Sequence, residues 1–218
     1  MEYNITIVLV IVTALTSYRA FTDRILKENF LFRPAAMSNS NQWYRFLSHG
    51  LIHADFTHLL FNMYVLYVFG DIVELLFGAY FGVVIGKALF VTMYVTALAA
   101  ASIPSYFQHK DNYSYSALGA SGAVSGIMFA LIFFSPWQMF YLFFIIPCPA
   151  ILFGIGYLWY SNYMAKRGMD NVGHDAHFWG AVYGFAFTFI TALVIQPILV
   201  SSFFEQLYQG ILITNSLQ

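Results

Sequence analysis

The chain has 218 residues, of which 60% are apolar, 20% aromatic and only 9% charged. A soluble domain carries about 25% charged residues, so this chain cannot cover itself with polar surface, and the composition is that of a polytopic membrane protein. It excludes disorder, collagen, a coiled coil and a disulfide scaffold. A formal net charge of −1 with nine Lys plus Arg leaves no stripe able to neutralise phosphates, which excludes nucleic-acid binding. Cys148 is the one cysteine, so neither an internal disulfide nor a cysteine-based zinc site can form.

A helix that spans a bilayer takes about 20 mostly apolar residues, and six stretches are read as spans. In chain order they are Asn4–Tyr18, Thr57–Phe77, Phe81–Ser105, Ser121–Phe134, Pro149–Tyr163 and Ala176–Val200. The first lacks the basic start of a secretory signal, since Met1, Glu2 and Tyr3 precede it, so it is expected to be retained. The expected fold is an all-α membrane protein, a six-helix bundle forming a single domain over residues 1–218. Residues 19–56 are the longest polar linker, with Arg19, Arg24, Lys27, Arg33 and Arg45, and with Trp43 and Tyr44 as interfacial aromatics. Residues 106–120 are polar and rich in Tyr and Ser. Residues 135–148 are apolar but interrupted by Pro136 and Pro147, which argues against a continuous helix. Residues 164–175, with Gly168 and Gly173, are expected to form a mobile loop.

Polar side chains within apolar spans are costly and point to function. Three clusters stand out, and each also has a structural reading. Gly119-Ala120-Ser121-Gly122 opens the fourth span, followed by Ser125 and Gly126. Small residues four apart allow close helix packing; equally, a serine at a helix N-terminus has free N–H groups and the positive dipole end beside it, suited to a developing oxyanion. His177, Gly180 and Gly184 share one face of the sixth span, so the imidazole either faces the bundle interior or caps the helix entrance. His58 and Asn62 project side by side from the second span. They fit an interhelical hydrogen bond, and they also fit a pair of donors aimed at one negative charge. Together the clusters supply a nucleophile, a base and oxyanion donors. Asp71 and Glu74 lie far along the second span from His58, and Asp175 is on another face from His177, so the set reads as a Ser–His dyad with no orienting carboxylate. His174 and Asp175 either cap the sixth helix or tune His177.

These motifs resemble the rhomboid intramembrane serine proteases of the bacterial, six-helix type, over a core of about residues 42–200. Gly119-Ala120-Ser121-Gly122 is similar to the family's GxSG motif and His177 with Gly180 to its AHxxG motif, which implies Ser121 as nucleophile and His177 as general base. His58 and Asn62 match its HxxxN pair, implying that they bind the oxyanion with the Ser121 backbone N–H. Gly122 and Gly184 would support the close helix contact, and Arg45 with His49, His53, Ala54 and Asp55 resembles the family's first loop. The resemblance implies a water-filled cavity open to the extracytoplasmic side of a cell membrane and a gate made of the fifth helix and the following loop. It implies single-pass transmembrane substrates cut near the membrane surface, lipid as the surrounding partner, and no metal or cofactor. Two positions depart from the pattern. Ser125 stands where the family has an aromatic ring stacked on the histidine, so another ring, Tyr183 or Trp179, is expected to hold His177. Tyr44-Arg45 replaces the usual Trp-Arg, with Trp43 one residue earlier.

The implied cytoplasmic N-terminus puts eight of the nine Lys and Arg residues outside and Lys87 inside, opposite to the positive-inside rule; the folded character expected of the first loop favours the family orientation. Two other readings of the sequence are a metal- or haem-binding membrane protein built on its six histidines, and a catalytically inactive relative that binds membrane clients. The four residues Ser121, His177, His58 and Asn62 favour the protease over both.

Overall fold

In hydrocarbon, backbone N–H and C=O groups can bond only with one another, so long apolar stretches fold as helices. The computed structural model describes residues 4–142, 145–168 and 172–216. In chain order they form α1 (Ile5–Thr22), α2 (Arg24–Phe30), α3 (Pro34–Ser40), α4 (Arg45–Ser48), a 3-10 turn (His49–Leu51), α5 (Phe56–Phe81), α6 (Val83–His109) and α7 (Ser121–Phe134). An antiparallel hairpin of β1 (Met139–Leu142) and β2 (Ile146–Pro149) follows, then α8 (Ala150–Arg167), α9 (His174–Ile195) and α10 (Ile198–Ser216).

Each of the six expected stretches carries a helix. Among the described residues α1, α5, α6 and α9 are long and apolar enough to cross a membrane; α7 is apolar but has only 14 residues, and α8 has 18 with Lys166 and Arg167 in its last turn. Leu15, Phe61, Leu75, Val84, Ile155 and Val194 are exposed on the outside of the bundle, a surface suited to lipid. The chain is an integral, multi-pass membrane protein.

Two expectations change, at the end of the sixth stretch and at residues 164–167, and the two long linkers take definite form. The sixth stretch does not run to Val200: the chain leaves the helix at Gln196 and Pro197, where proline has no N–H to continue the ladder. A further helix, α10, then folds back, with Phe203 stacked on Phe133 at 5.3 Å and the Trp137 Nε1–H donating to the Gln206 carbonyl at 2.9 Å. The polar linker 19–56 is folded, because Asp23 caps α2 by accepting from the Leu26 N–H at 3.0 Å and Pro34 opens α3. Residues 164–167 continue α8, and the apolar linker after α7 folds as the hairpin, with Pro147 opposite Tyr141 in a two-stranded sheet that has only edges. Residues 1–3, residues 143–144 of the apolar linker and residues 169–171 of the expected loop lie outside the described residues.

The start of α1 is fixed by α5. The buried Glu74 carboxylate accepts from the Ile5 and Thr6 N–H groups at 2.9 and 2.8 Å and from the Thr6 hydroxyl at 2.9 Å, and Asn4 donates to Asp71 at 2.5 Å. A carboxylate at a helix N-terminus meets unpaired donors and the positive dipole end. This accounts for both acidic residues of the second span.

Helix α7 is buried along nearly its whole length, so it is the central helix, and α9 crosses it at a seam of glycines. A Cβ on Gly180 would lie 2.1 Å from the Gly122 carbonyl oxygen, and one on Gly184 would lie 2.1 Å from that of Gly126. The two backbones touch, as small residues at four-residue spacing permit. Gly184→Ala is therefore expected to cost about 1–3 kcal/mol, read as a lower unfolding midpoint in detergent. Gly156→Ala, whose Cβ would meet nothing within 4 Å, is expected to leave the midpoint unchanged or raise it slightly.

Candidate active site

Ser121 is the first residue of α7 and is half-buried. The segment leading to it is clamped by the folded first loop. Phe32 and Ala117 exchange both backbone hydrogen bonds, at 2.9 and 3.0 Å, and the Gly119 N–H donates to the His49 carbonyl at 2.9 Å. The Ala120 N–H points to His53 Nε2 at 3.4 Å. Gly119 has φ +116°, and a Cβ there would come within 2.8 Å of the His58 ring. Both its backbone conformation and its surroundings require glycine.

His53 is fully buried. Since its Nε2 faces a donor, the proton is assigned to Nδ1, which donates to Ser17 Oγ at 2.9 Å; that hydroxyl donates to the Leu51 carbonyl at 2.9 Å. His49 Nε2 meets Ser102 Oγ on α6 at 3.1 Å. Burial, with His58 nearby, pushes the His53 pKa down to about 3, and burial pushes that of His49 down to about 4. Arg45 is buried and donates through one nitrogen to the Glu28 and Leu31 carbonyls at 2.9 and 2.6 Å, and through Nε to Gln42 at 2.6 Å. It ties the end of α2 to α4.

His58 stands in the first turn of α5, where Asp55 accepts from its backbone N–H at 2.8 Å. Asn62 is buried one turn on, and its side-chain amide donates to the His58 carbonyl at 2.9 Å. That bond uses one of its two amide hydrogens. His58 and Ser121 therefore flank the same glycine turn, Gly119.

His177 lies in the opening turn of α9, one turn before Gly180. A Cβ on Gly122 would sit 3.3 Å from the Ala176 carbonyl oxygen, so the neighbour of Ser121 touches the neighbour of His177. The glycine seam thus brings the two expected dyad residues to adjoining turns of crossing helices. The ring laid against His177 is Tyr157 from α8, with centroids 6.3 Å apart and planes 25° from parallel; the buried His174 approaches edge-on at 5.9 Å. Tyr183, expected in that place, donates to Thr96 on α6 at 2.6 Å, and Trp179 is exposed and meets Phe178 edge-on at 5.2 Å. Asp175 accepts a short hydrogen bond from Ser105 on α6, tying the entrance of α9 to its neighbour. Burial, then the Asp175 charge, raises the Tyr115 pKa.

Sequence reasoning missed Tyr157. The available signal was Gly154, Tyr157 and Ser161 on one stripe of α8. Among the described residues no group of three or more His, Cys, Asp or Glu is arranged to hold a metal ion.

Fold and site define a multi-pass helical membrane protein with a serine and a histidine carried on two helices in backbone contact. The Rhomboid domain family model matches residues 40–193, and the chain belongs to the rhomboid family. It is 30% identical over 173 residues, 75% of this chain and 51% of the other, to "RHOMBOID-like protein 12, mitochondrial" of Arabidopsis thaliana. It is 31% identical over 94 residues, 43% of this chain and 42% of the other, to "Putative rhomboid protease YdcA" of Bacillus subtilis (strain 168). The chain thus spans about half the length of one relative and about two fifths of the other.

The two buried histidines imply acid sensitivity. Both have folded-state pKa values below the unfolded value of about 6.5, so the unfolded chain takes up protons first as pH falls. Their contribution to stability is complete above pH 6.5 and is lost progressively as pH falls, down to about 4 for His49 and about 3 for His53, with unfolding favoured further by each proton bound. Unfolding midpoints measured in detergent between pH 8 and 4 are expected to fall below pH 6.5, and a His49→Gln, His53→Gln variant to show a lower but flatter profile.

Proposed function

We propose that this chain is an intramembrane serine endopeptidase that cuts single-pass transmembrane proteins with a Ser121–His177 dyad. The supporting observation is the seam that sets the N-terminal turn of α7 against the opening turn of α9. In this reading α7 and α8 complete six spans with α1, α5, α6 and α9, and α10 is a peripheral addition. The N-terminus faces the cytoplasm and the site opens to the other side of a cell membrane.

The chemistry follows from the residues. His177 takes the Ser121 hydroxyl proton as Oγ attacks the scissile carbonyl carbon. The carbonyl oxygen becomes an oxyanion, held by the Ser121 backbone N–H at the α7 N-terminus, the second amide hydrogen of Asn62, and His58. As the tetrahedral intermediate collapses, the C–N bond breaks and His177 gives its proton to the leaving amine. Water activated by His177 then cleaves the acyl-enzyme ester and restores Ser121. No carboxylate fixes the imidazole tautomer, so the reaction is slow compared with a triad. An extended segment of substrate is required, because a helix hides its carbonyls from attack.

With purified protein in bilayers and a generic single-pass substrate, the parent is expected to cleave. Ser121→Ala and His177→Ala should each lower the rate by at least about 1,000-fold, and Asn62→Ala by about 10- to 1,000-fold. A fluorophosphonate probe should label the parent and not Ser121→Ala. Labelling or cleavage that persists in Ser121→Ala would remove the assignment of the nucleophile, and a parent that binds substrate without cutting it would favour a client-binding role.

A further inference from the structure

Tyr157 meets His177 directly and Ser121 through Ser125, from a helix that carries neither half of the dyad. Its ring lies against His177, and its hydroxyl is 2.6 Å from Ser125 Oγ. Ser125 has one hydroxyl hydrogen and gives it to the Ser121 carbonyl at 2.8 Å, so the Tyr157 hydroxyl must be the donor to Ser125. The result is a relay, from Tyr157 O–H to Ser125 Oγ and from Ser125 O–H to the Ser121 carbonyl oxygen, that ends on the backbone of the nucleophile.

Helix α8 is otherwise mostly half-buried or exposed, although Ile151, Phe153 and Leu158 pack against the core. Of its side chains only those of Ala150 and Ser161, besides Gly154, are buried. An entirely apolar cavity of about 290 Å³ lies between α7, α8 and α9, lined by Phe129, Ile132, Gly154, Leu158, Val182 and Phe185, and α8 touches α7 there where Gly154 meets Ile132 and Phe129. A helix with few buried contacts moves at low free-energy cost.

We infer that Tyr157 is a positioning residue that makes the geometry of the dyad depend on where α8 sits. With α8 against α7, the ring backs the His177 imidazole and the hydroxyl anchors the Ser121 turn through Ser125. Outward displacement of α8 withdraws both supports together, so the order of the dyad depends on the position of a third helix through one side chain. The inference rests on the proposed Ser121–His177 chemistry and adds a residue on a third helix to it.

The test compares parent, Tyr157→Phe, Tyr157→Leu and Tyr157→Leu with Ser125→Tyr, in bilayers. It reads kcat and KM for a single-pass substrate, and the fluorophosphonate labelling rate of Ser121, which needs no transmembrane substrate. Tyr157→Leu is expected to lower kcat and labelling rate by about tenfold or more with KM within about threefold. Tyr157→Phe, which keeps the ring and loses the relay to Ser125, should fall between the parent and Tyr157→Leu in both kcat and labelling rate, and a Tyr157→Phe equal to the parent would remove the role of the hydroxyl. The double variant, which supplies a ring from α7, should recover most of the loss. Parent-like labelling in Tyr157→Leu, a loss confined to KM, or a Tyr157→Phe as slow as Tyr157→Leu would overturn the role of the ring; the last two readouts decide the matter even if the double variant fails to fold. Each of these outcomes leaves the dyad itself standing, since that reading fails if the parent does not cleave or if Ser121→Ala remains active.

Discussion

The contact between the backbones of α7 and α9 sets the position of nearly everything else. Lipid tails are as apolar as the helices they surround, so helices associate in membranes through close packing and polar contacts and gain little from burying apolar surface. Here Gly122 and Gly126 meet Gly180 and Gly184 with no side chain between them. Two crossing points one turn apart fix both the separation of the helices and their register. Because Ser121 precedes the first crossing on α7 and His177 precedes it on α9, the same register puts both at one end of the seam. A one-residue slip would turn the imidazole about 100° away on its helix. The seam is therefore a packing device and a positioning device at once, and the two readings of its glycines that the sequence left open are compatible.

Around this axis the remaining helices are tied by buried polar contacts, each joining elements distant in sequence. Glu74 on α5 caps α1, Ser17 on α1 meets His53 in the first loop, Ser102 on α6 meets His49, and Ser105 on α6 meets Asp175 at the head of α9. In a low-dielectric interior each such bond has few competitors, and an unpaired partner is expensive. Three of these four contacts lie at the same end of the bundle as Ser121. With Arg45 holding the end of α2 to α4, they make the first loop a folded cover whose edge clamps residues 117–120. The polar residues are thus concentrated where the backbone follows a non-helical path and its N–H and C=O groups must find partners.

Much of this was legible in the sequence. Apolar length located six of the helices, and the motifs pointed to Ser121 and His58, which flank the Gly119 turn, and to His177, whose neighbour Ala176 meets Gly122 across the seam. What escaped has physical causes. Periodicity in an apolar chain says little about where a helix stops, so the break at Gln196 and Pro197 and the separate α10 were read as one span, although proline carried the signal. The first loop was expected to be folded, but its helices α2, α3 and α4 were not resolved in the sequence because they are short and stabilised by tertiary contacts such as Arg45 to two carbonyls, which no local propensity encodes. The hairpin after α7 reads as an apolar run with prolines, a composition that strand and loop share.

Tyr157 escaped for a more instructive reason. The residue four after Ser121 is Ser125, too small to back an imidazole, and the rings the sequence suggests in its place, Tyr183 and Trp179, lie on α9, the helix that carries His177. A side chain on the same helix as the histidine can stack on it only from a position above or below on its own face, and there the glycines of the seam occupy the inward stripe. The open flank of the His177 ring faces the neighbouring helix instead. A small residue at 125 leaves room for a large one from α8, and the hydroxyl of that small residue then pairs with the tyrosine that fills the space. Ring and serine are thus complementary in volume and in hydrogen bonding. The departure from the family pattern at 125 and the tyrosine at 157 form one structural unit, in which an aromatic support is moved from the central, immobile helix to a peripheral one.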